Sequence, residues 1–337
     1  MTLASRAMSR RGLLKLAGGT ATAGALMGAS GCGLLGGSES AGSGDGTVEK
    51  PNIKVGAMPV TDLAPLHLAV RNGIFQQEGL NVEIVTTSDG SAALTSTIGG
   101  DYDITYASYV PFFAAQARGV ADLKIVADCG AGAPNTTTIM TSPSSKVRTP
   151  QDLAGKTIAI SGPRTISELL VKATMRAYGV DFSKSEFTAI PFINMPAALQ
   201  QGRVDAAILT EPFLTQAARA SGAVPVADTN TGPLEDLPLT GYGATAQFVQ
   251  DNPKTVAAFQ RAMDRAVAES QDRSKIEPLL PEFAKIDKDT AAIISLLKFN
   301  SRADATRLQR VPRLMKDFGF LDKDIDVSKM IVQPAQG

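Results

Sequence analysis

One pattern occurs twice in this chain, and it leaves few folds open. Ala92 to Ile98 reads as a short helix, Gly99-Gly100 as its stop, and Asp101 to Ile104 as the entry to a buried strand. Ala197 to Gln201, Gly202, and Asp205 to Ile208 repeat that order. In both copies glycine suits the left-handed residue that closes a helix, and the apolar run after the aspartate has buried-strand character. The upstream segments match as well. Ile53 to Met58 is a strand, Thr61 or Asp62 caps a helix carrying Leu63, Leu66, Val70 and Ile74, Gly79 ends it, and Val82 to Val85 is the next strand. Thr157 to Ile160, a helix from Thr165 to Tyr178, Gly179, and Phe187 to Ile190 follow the same plan. Each half is β-α-β-α-β, the signature of a parallel sheet covered by helices.

Two such units predict an α/β protein of two lobes with a cleft between them. Lobe 1 is expected to span residues 51–140 and 245–337, and lobe 2 residues 141–244. The expected links are the β-rich run Thr136 to Thr141, which ends at Ser142-Pro143, and the stretch Gly241 to Ala246. Asn252-Pro253 opens a helical remainder, with proline at the first helical position. Its most apolar part, Ala291 to Leu297, is expected to pack as core.

Ligands of open α/β sheets bind beyond the carboxyl ends of the strands. Those ends nominate Thr61, Asp62, Asp89, Gly90, Ser91, Tyr106, Ser108 and Tyr109 in lobe 1, with Asn135 beside the first link. In lobe 2 they nominate Ser161, Gly162, Arg164, Thr165, Asn194 and Glu211. Ser161 to Thr165 lies where a strand passes into a helix, so free N–H groups and a positive partial charge suit an anion there. Arg164 then either adds a bidentate contact or is solvated beside a capped helix. Asp89-Gly90-Ser91 is either a backbone contact site or a plain N-cap. Tyr106 and Tyr109 either stack on an aromatic ring of the ligand or wall the pocket, whereas Phe112 is left to the core. Asp62 is a cap or a contact. Glu211 either accepts from a ligand amine or ring N–H, or braces the lobe. A ligand-facing Glu211 disfavours a simple inorganic anion, because like charges repel strongly in a dry cleft.

Composition removes several chemistries. The single histidine, His67, would have to carry any Ser-His-Asp triad or multi-histidine zinc site alone. His67 is expected to be packed, and Cys129 to be a small buried residue. There is no phosphate-cradling glycine loop and no basic run for nucleic acid. No metal or cofactor site is expected, and the protein is expected to be a monomer.

The first residues read as an export signal. Arg6, Arg10, Arg11 and Lys15 precede a small, apolar stretch from Leu16 to Met27, too short to span a bilayer. Ser9 to Lys15 resembles the twin-arginine motif, which implies export in the folded state. Ala29-Ser30-Gly31-Cys32 resembles a lipobox, with Ala29 where leucine is usual, and makes Cys32 the expected lipidation site. Residues 1–31 are thus the expected signal. Residues 32–50, rich in Gly, Ser and Glu after Cys32, are a flexible tether. The whole chain carries 33 basic and 33 acidic residues, so loss of the signal's four cations leaves a net charge of −4. Acylation of Cys32 would leave Cys129 as the only thiol, with no internal disulfide to form.

Several stretches together resemble a known family. Leu66 to Ala69 with Asn72 to Val82, Asp152 to Ala159, Gly202 to Ala207, and Thr210 to Phe213 are similar, in order and spacing, to solute-binding proteins of ABC importers. The likeness is to the nitrate, sulfonate and taurine group, which includes binders of thiamine pyrimidine precursors, and it spans most of residues 52–320. It implies a two-lobed, periplasmic-binding-protein-like (type II) fold and a small-molecule solute captured by lobe closure. It also implies a membrane permease as partner and a lipid-anchored extracytoplasmic location. A sulfonate such as taurine is the first ligand it suggests, and a pyrimidine or other nitrogen heterocycle the second. Thr210 stands where the family's version of the Glu-Pro motif has an aromatic residue. Pyrimidine synthases and chorismate-processing enzymes share this type of fold. The former use a reactive histidine and a cysteine-rich metal motif, neither of which is visible here.

Overall fold

The computed structural model describes residues 47–334. The expected signal and Cys32 lie outside those residues, as does most of the tether. Ile53, Val55 and Ala57 alternate inward along β1 (Asn52–Ala57), which pairs in parallel with β2 (Asn81–Thr86) and β3 (Ile104–Ser108). Parallel neighbours need crossovers. These are α1 (Ala64–Arg71) with α2 (Ile74–Gln77), and then α3 (Gly90–Gly99). After α4 (Tyr109–Arg118) and β4 (Leu123–Ala131) the chain leaves this sheet. A second sheet follows, built from β5 (Thr137–Thr141), β6 (Thr157–Ile160), β7 (Glu186–Ala189), β8 (Ala206–Thr210) and β9 (Val224–Asp228). Its helices are α5 (Ile166–Ala177), α6 (Met195–Gln200) and α7 (Phe213–Ser221). The chain returns through β10 (Pro238–Thr245), α8 (Ala246–Asp251) and α9 (Pro253–Ser270), and a short β11 (Lys298–Phe299) closes the first sheet's edge. The sheet orders are β11-β4-β10-β3-β1-β2 and β7-β6-β8-β5-β9.

The repeat therefore folds as its sequence implies. Both glycine stops hold positive φ, +87° at Gly100 and +66° at Gly202, where a side chain would be strained.

The links lie elsewhere than expected. Thr137 to Thr141 is an inner strand of the second sheet, and Gly241 to Thr245 belongs to an inner strand of the first. All of β5 is buried, as is β10 except its last residue, so these runs are sheet interior. The crossings fall in residues 132–136 and 229–237. There Asn135, Gly232 and Asp236 take positive φ, as turns require. The boundaries expected at 140/141 and 244/245 move accordingly. In β10, Gly241 and Gly243 make room for Tyr109 and Phe112, whose rings would meet any Cβ at those positions.

The helical remainder closes the structure. Ala291, Ile294 and Leu297 are buried, whereas Ile293 of the same run is exposed. Arg310–Asp317 and the residues after it reach α5. There Phe318 packs on Phe182 and lies under Arg176, and Phe320 belongs to the core cluster that contains Leu169 and Leu170.

Candidate functional site

The carboxyl ends of both sheets face one cavity of about 380 Å³. The first sheet's side supplies Met58, Val60, Asp62, Ser88 to Ser91, Tyr106, Ser108, Leu239 and Thr240; the second's supplies Thr137, Ser161 to Pro163, Thr165 to Ser167, Leu170, Phe192 and Thr210. A larger, more open depression of about 580 Å³ lies at the amino ends of β1 and β2 around Lys50, Lys54 and Asp103. It is a feature of one sheet's edge, where Lys50 and Asp103 form an ion pair at 2.6 Å. The cavity between the sheets is the better site, because both halves of the molecule build it.

Asp62 is neither a helix cap nor solvated. It sits in a 3-10 turn (Thr61–Leu63) at 6% exposure and makes no capping bond. Tyr106 Oη donates to its Oδ2 at 2.6 Å, and Thr240 Oγ1 donates to the same oxygen at 3.3 Å. Burial pushes the Asp62 carboxyl above its ordinary pKa, against the pull of those two bonds. Asp89 lines the cavity too, but its carboxylate caps α3 by accepting from Ala92 N at 2.8 Å and also accepts from Ser88 at 2.9 Å. Gly90 lets the end of α3 approach β3, since a Cβ there would lie 3.0 Å from Ala107 Cβ.

Across the cavity, Ser161, Thr165 and Ser167 form a hydroxyl cluster with oxygens 2.8 Å apart for Ser161–Ser167 and Thr165–Ser167. Thr165 spends its hydroxyl on Gly162 O at 2.6 Å and does not cap α5. The amino end of α5 therefore meets the cavity without a side-chain cap.

Several nominated residues lie elsewhere. Arg164 does not reach the cavity. Its backbone is left-handed at φ +57°, its guanidinium donates to Phe320 O, and its charge lies over the Phe320 ring at 5.6 Å. Tyr109 is fully buried, stacks on Phe113 and donates to Asp128, so it is core and not wall. Asn135 is a turn residue whose amide donates to Asp228 at 2.8 Å. Asn194 is exposed at the foot of α6, outside the lining that its neighbour Phe192 joins. Thr61 is buried beside the wall without lining it.

Glu211 takes the bracing role. It is 2% exposed and accepts from Thr215 N at 3.1 Å, Thr215 Oγ1 at 2.6 Å and Ser295 N at 3.3 Å. Desolvation raises its pKa, and those bonds oppose the rise. Thr210, one residue earlier, lines the cavity in its place. His67 stacks on Phe283 at 4.0 Å, and burial lowers its pKa to about 4. Cys129 is buried, and its thiol donates to Asp62 O at 3.3 Å.

Thr240, Ser167, Thr137, Leu170, Leu239 and Leu297 line the cavity without having been nominated. Thr240 and Leu239 fell inside or beside a run read as a link, and Leu297 inside one read as core. Pro238–Thr245, in which only Thr240 and Thr245 are β-branched, carries no local pattern that marks Thr240 as a site residue. Among the described residues, Asp62 and Asp89 are the only charged side chains on the cavity wall.

Residues 60–273 match the profile of proteins described as NMT1/THI5 like. The chain belongs to the NMT1/THI5-like family. Within reach of this family member is a protein of Escherichia coli K12 named for binding aliphatic sulfonates, 27% identical over 248 residues, covering 70% of this chain and 75% of that one. A formylaminopyrimidine-binding protein of Halalkalibacterium halodurans is 24% identical over 202 residues, covering 58% of this chain and 59% of its own length. The chain thus spans three quarters of the first relative and less than two thirds of the second. The alkanesulfonate-binding protein SsuA of Xanthomonas axonopodis pv. citri, solved with MOPS, superposes with a TM-score of 0.74 at 19% identity over 84% of this chain and 99% of that one. That likeness establishes a periplasmic-binding-protein fold.

Proposed function

We propose that this chain is the extracytoplasmic solute-binding component of an ABC importer, and that its solute is a small organic molecule bearing nitrogen, such as an aminopyrimidine. One observation carries the choice of ligand. The cavity between the sheets has two carboxylates and no cation on its wall, with Met58, Leu170, Phe192, Leu239 and Leu297 supplying apolar surface. A compact anion such as nitrate would enter that site without a countercharge. A flat, largely apolar ring with polar edges fits such a lining. The binding of a formylaminopyrimidine by one relative supports the same order.

A sulfonate is the second reading. The uncapped amino end of α5 and its three hydroxyls favour it, as does the sulfonate-binding name of another relative. Capture proceeds by closure of the lobes over the solute. Closure excludes water and strengthens each polar contact, and it needs a solute that binds the closed form better than the open one. The permease reads that closed form. The chain acts by binding and release without turnover. Residues 1–31 direct export, and acylated Cys32 holds the domain at the membrane. Among the described residues no helix is long and apolar enough to cross a bilayer.

Titration calorimetry with nitrate, ethanesulfonate, taurine and 4-amino-2-methylpyrimidine tests the ligand class. Heat from the pyrimidine alone supports the first reading. Heat from the sulfonates alone supports the second, and heat from neither refutes both. Mass spectrometry of the recovered pyrimidine checks for turnover, and a chemically altered product would overturn the binding-only view.

A further inference from the structure

We propose that Asp62 is the specificity-determining residue of this site, and that its Oδ1 accepts a hydrogen bond from an N–H group of the solute, an ammonium or an amino group on a cationic or electron-poor ring. The inference rests on the binding cleft proposed above and deepens it.

The two oxygens of this carboxylate are not equivalent. Oδ2 takes both protein donors, Tyr106 Oη at 2.6 Å and Thr240 Oγ1 at 3.3 Å. Among the described residues no other residue donates to Oδ1, although Asp62 is only 6% exposed and lines the cavity. Buried carboxylate oxygens are ordinarily paired or hydrogen-bonded. An oxygen left open in a site shaped for a small molecule is an acceptor awaiting a donor.

The surroundings decide what kind of donor. Tyr106 on β3, Thr240 and Tyr242 on β10, and the Cys129 thiol on β4 pack around the carboxyl. None of them brings a positive charge, and burial raises the pKa of both tyrosines and of the thiol. The nearest other carboxylate on β4, Asp128, is already held by Arg307 at 3.3 Å, Asn300 at 3.0 Å and Tyr109. Arg307 is thereby committed away from the cavity. The second carboxylate on the wall, Asp89, is spent on α3. Among the described residues no cation is left on this wall, and the neighbouring Tyr242 Oη, buried without a partner, makes no bond to the carboxyl; the solute then supplies the countercharge or donor for Oδ1. A sulfonate group itself offers neither, and a carboxylate or nitrate would repel it; among sulfonates only one that also carries an ammonium, as taurine does, brings a donor. The fixed bonds to Oδ2 also orient the group, so Oδ1 faces the cavity in a set position before any solute arrives. That arrangement resembles other sites that reject analogues lacking one hydrogen-bonding group, because the unmet polar atom makes the mismatch costly.

The test compares four probes on the wild type and on Asp62→Asn: 4-amino-2-methylpyrimidine, 2-methylpyrimidine, ethylammonium and ethanesulfonate. Asparagine preserves the shape and, with its single oxygen accepting from Tyr106 and Thr240, places an NH2 donor where Oδ1 stood. For the wild type, the amino compound is expected to bind about a hundredfold more tightly than its des-amino analogue, and the asparagine variant is expected to erase that ratio. The variant's unliganded melting temperature is expected to equal or exceed that of the wild type, because it relieves a buried, half-satisfied carboxylate. Equal wild-type affinities for the two pyrimidines would overturn the proposal. So would binding of ethanesulfonate that survives Asp62→Asn, binding of no donor at all, or a melting temperature lower by about 5 °C or more in the variant. Binding of ethylammonium, lost in Asp62→Asn, with neither pyrimidine bound would uphold Asp62 while refuting the heterocycle reading. If the asparagine variant fails to fold, the wild-type ratio between the pyrimidines decides alone.

Discussion

Replacing Glu211 by alanine separates a brace from a ligand contact. The side chain is 2% exposed and accepts three bonds, two from Thr215 and one from Ser295 N. Ser295 belongs to the stretch between Ile294 and Leu296, which packs with Ala64 and Leu68 of α1, so the carboxylate ties the end of β8 to the first sheet's helices. Alanine would leave a hydroxyl and two backbone amides without their acceptor. Each hydrogen bond to a charged group contributes about 1.5–3 kcal/mol net. The three share one carboxylate and are not additive, and the raised pKa of Glu211 shows that desolvation offsets part of the gain. The expected loss is therefore about 2–4 kcal/mol, a fall in melting temperature of about 4–8 °C for a chain of this size. Glu211→Gln keeps an acceptor, removes the buried charge, and should stay within about 1 kcal/mol of wild type. Urea unfolding followed by circular dichroism at pH 7 measures both. Solute affinity, by calorimetry on the folded variants, should change by no more than about fivefold, near 1 kcal/mol. The reasoning is refuted if Glu211→Ala keeps its stability within about 0.5 kcal/mol while affinity falls by about a hundredfold.

Further substitutions probe other contacts. Arg164→Ala should destabilise by about 1–2 kcal/mol through loss of its bond to Phe320 O and its place over the Phe320 ring. Solute affinity should hold; unchanged stability with lost affinity would return Arg164 to the cavity. His67, with its pKa lowered to about 4, resists protonation while stacked on Phe283. The folded value lies below the unfolded one, so its contribution is full above about pH 6.5 and is lost as pH falls toward 4. The raised carboxyl pKa values of Asp62, Asp128 and Glu211 act with the opposite sign: they favour the fold at low pH and lose that effect as pH rises. Only a difference between variants therefore isolates His67. His67→Phe should be less acid-sensitive than wild type between pH 6.5 and 4.5 in unfolding free energy from urea titration, by up to about 2–3 kcal/mol, and equal slopes would contradict this. Cys32→Ala should release the protein from membranes into the soluble extracytoplasmic fraction, and continued membrane association would count against the anchor.

The repeat was the most legible part of the fold because its signals are local. Glycine stops, helix periodicity and apolar strands need no knowledge of partners, and Gly100 and Gly202 serve as expected. The links were misread because Thr136 to Thr141 and Gly241 to Ala246 carry strand chemistry whether they join two sheets or sit inside one. Only pairing distinguishes these cases, and pairing is long-range. Site residues divided in the same way. Asp62, Gly90, Ser161 and Thr165 follow from strand ends and helix starts in their own segments, and all line the cavity. Arg164 was decided by Phe320, far along the chain, and no local pattern announces such a partner; Glu211 is held by Thr215 four residues on and by the distant Ser295. Tyr109 turned inward because β10 offers glycine opposite its ring. Thr240 and Leu297 entered the site from segments whose own patterning marks only burial.

The most direct measurement is a crystal structure of the protein with 4-amino-2-methylpyrimidine. The account predicts the ring between the two sheets against Leu170 and Phe192, with its amino nitrogen within hydrogen-bonding distance of Asp62 Oδ1. A ring bound elsewhere, or one in the cavity whose amino group turns away while Oδ1 stays without a donor, would contradict it.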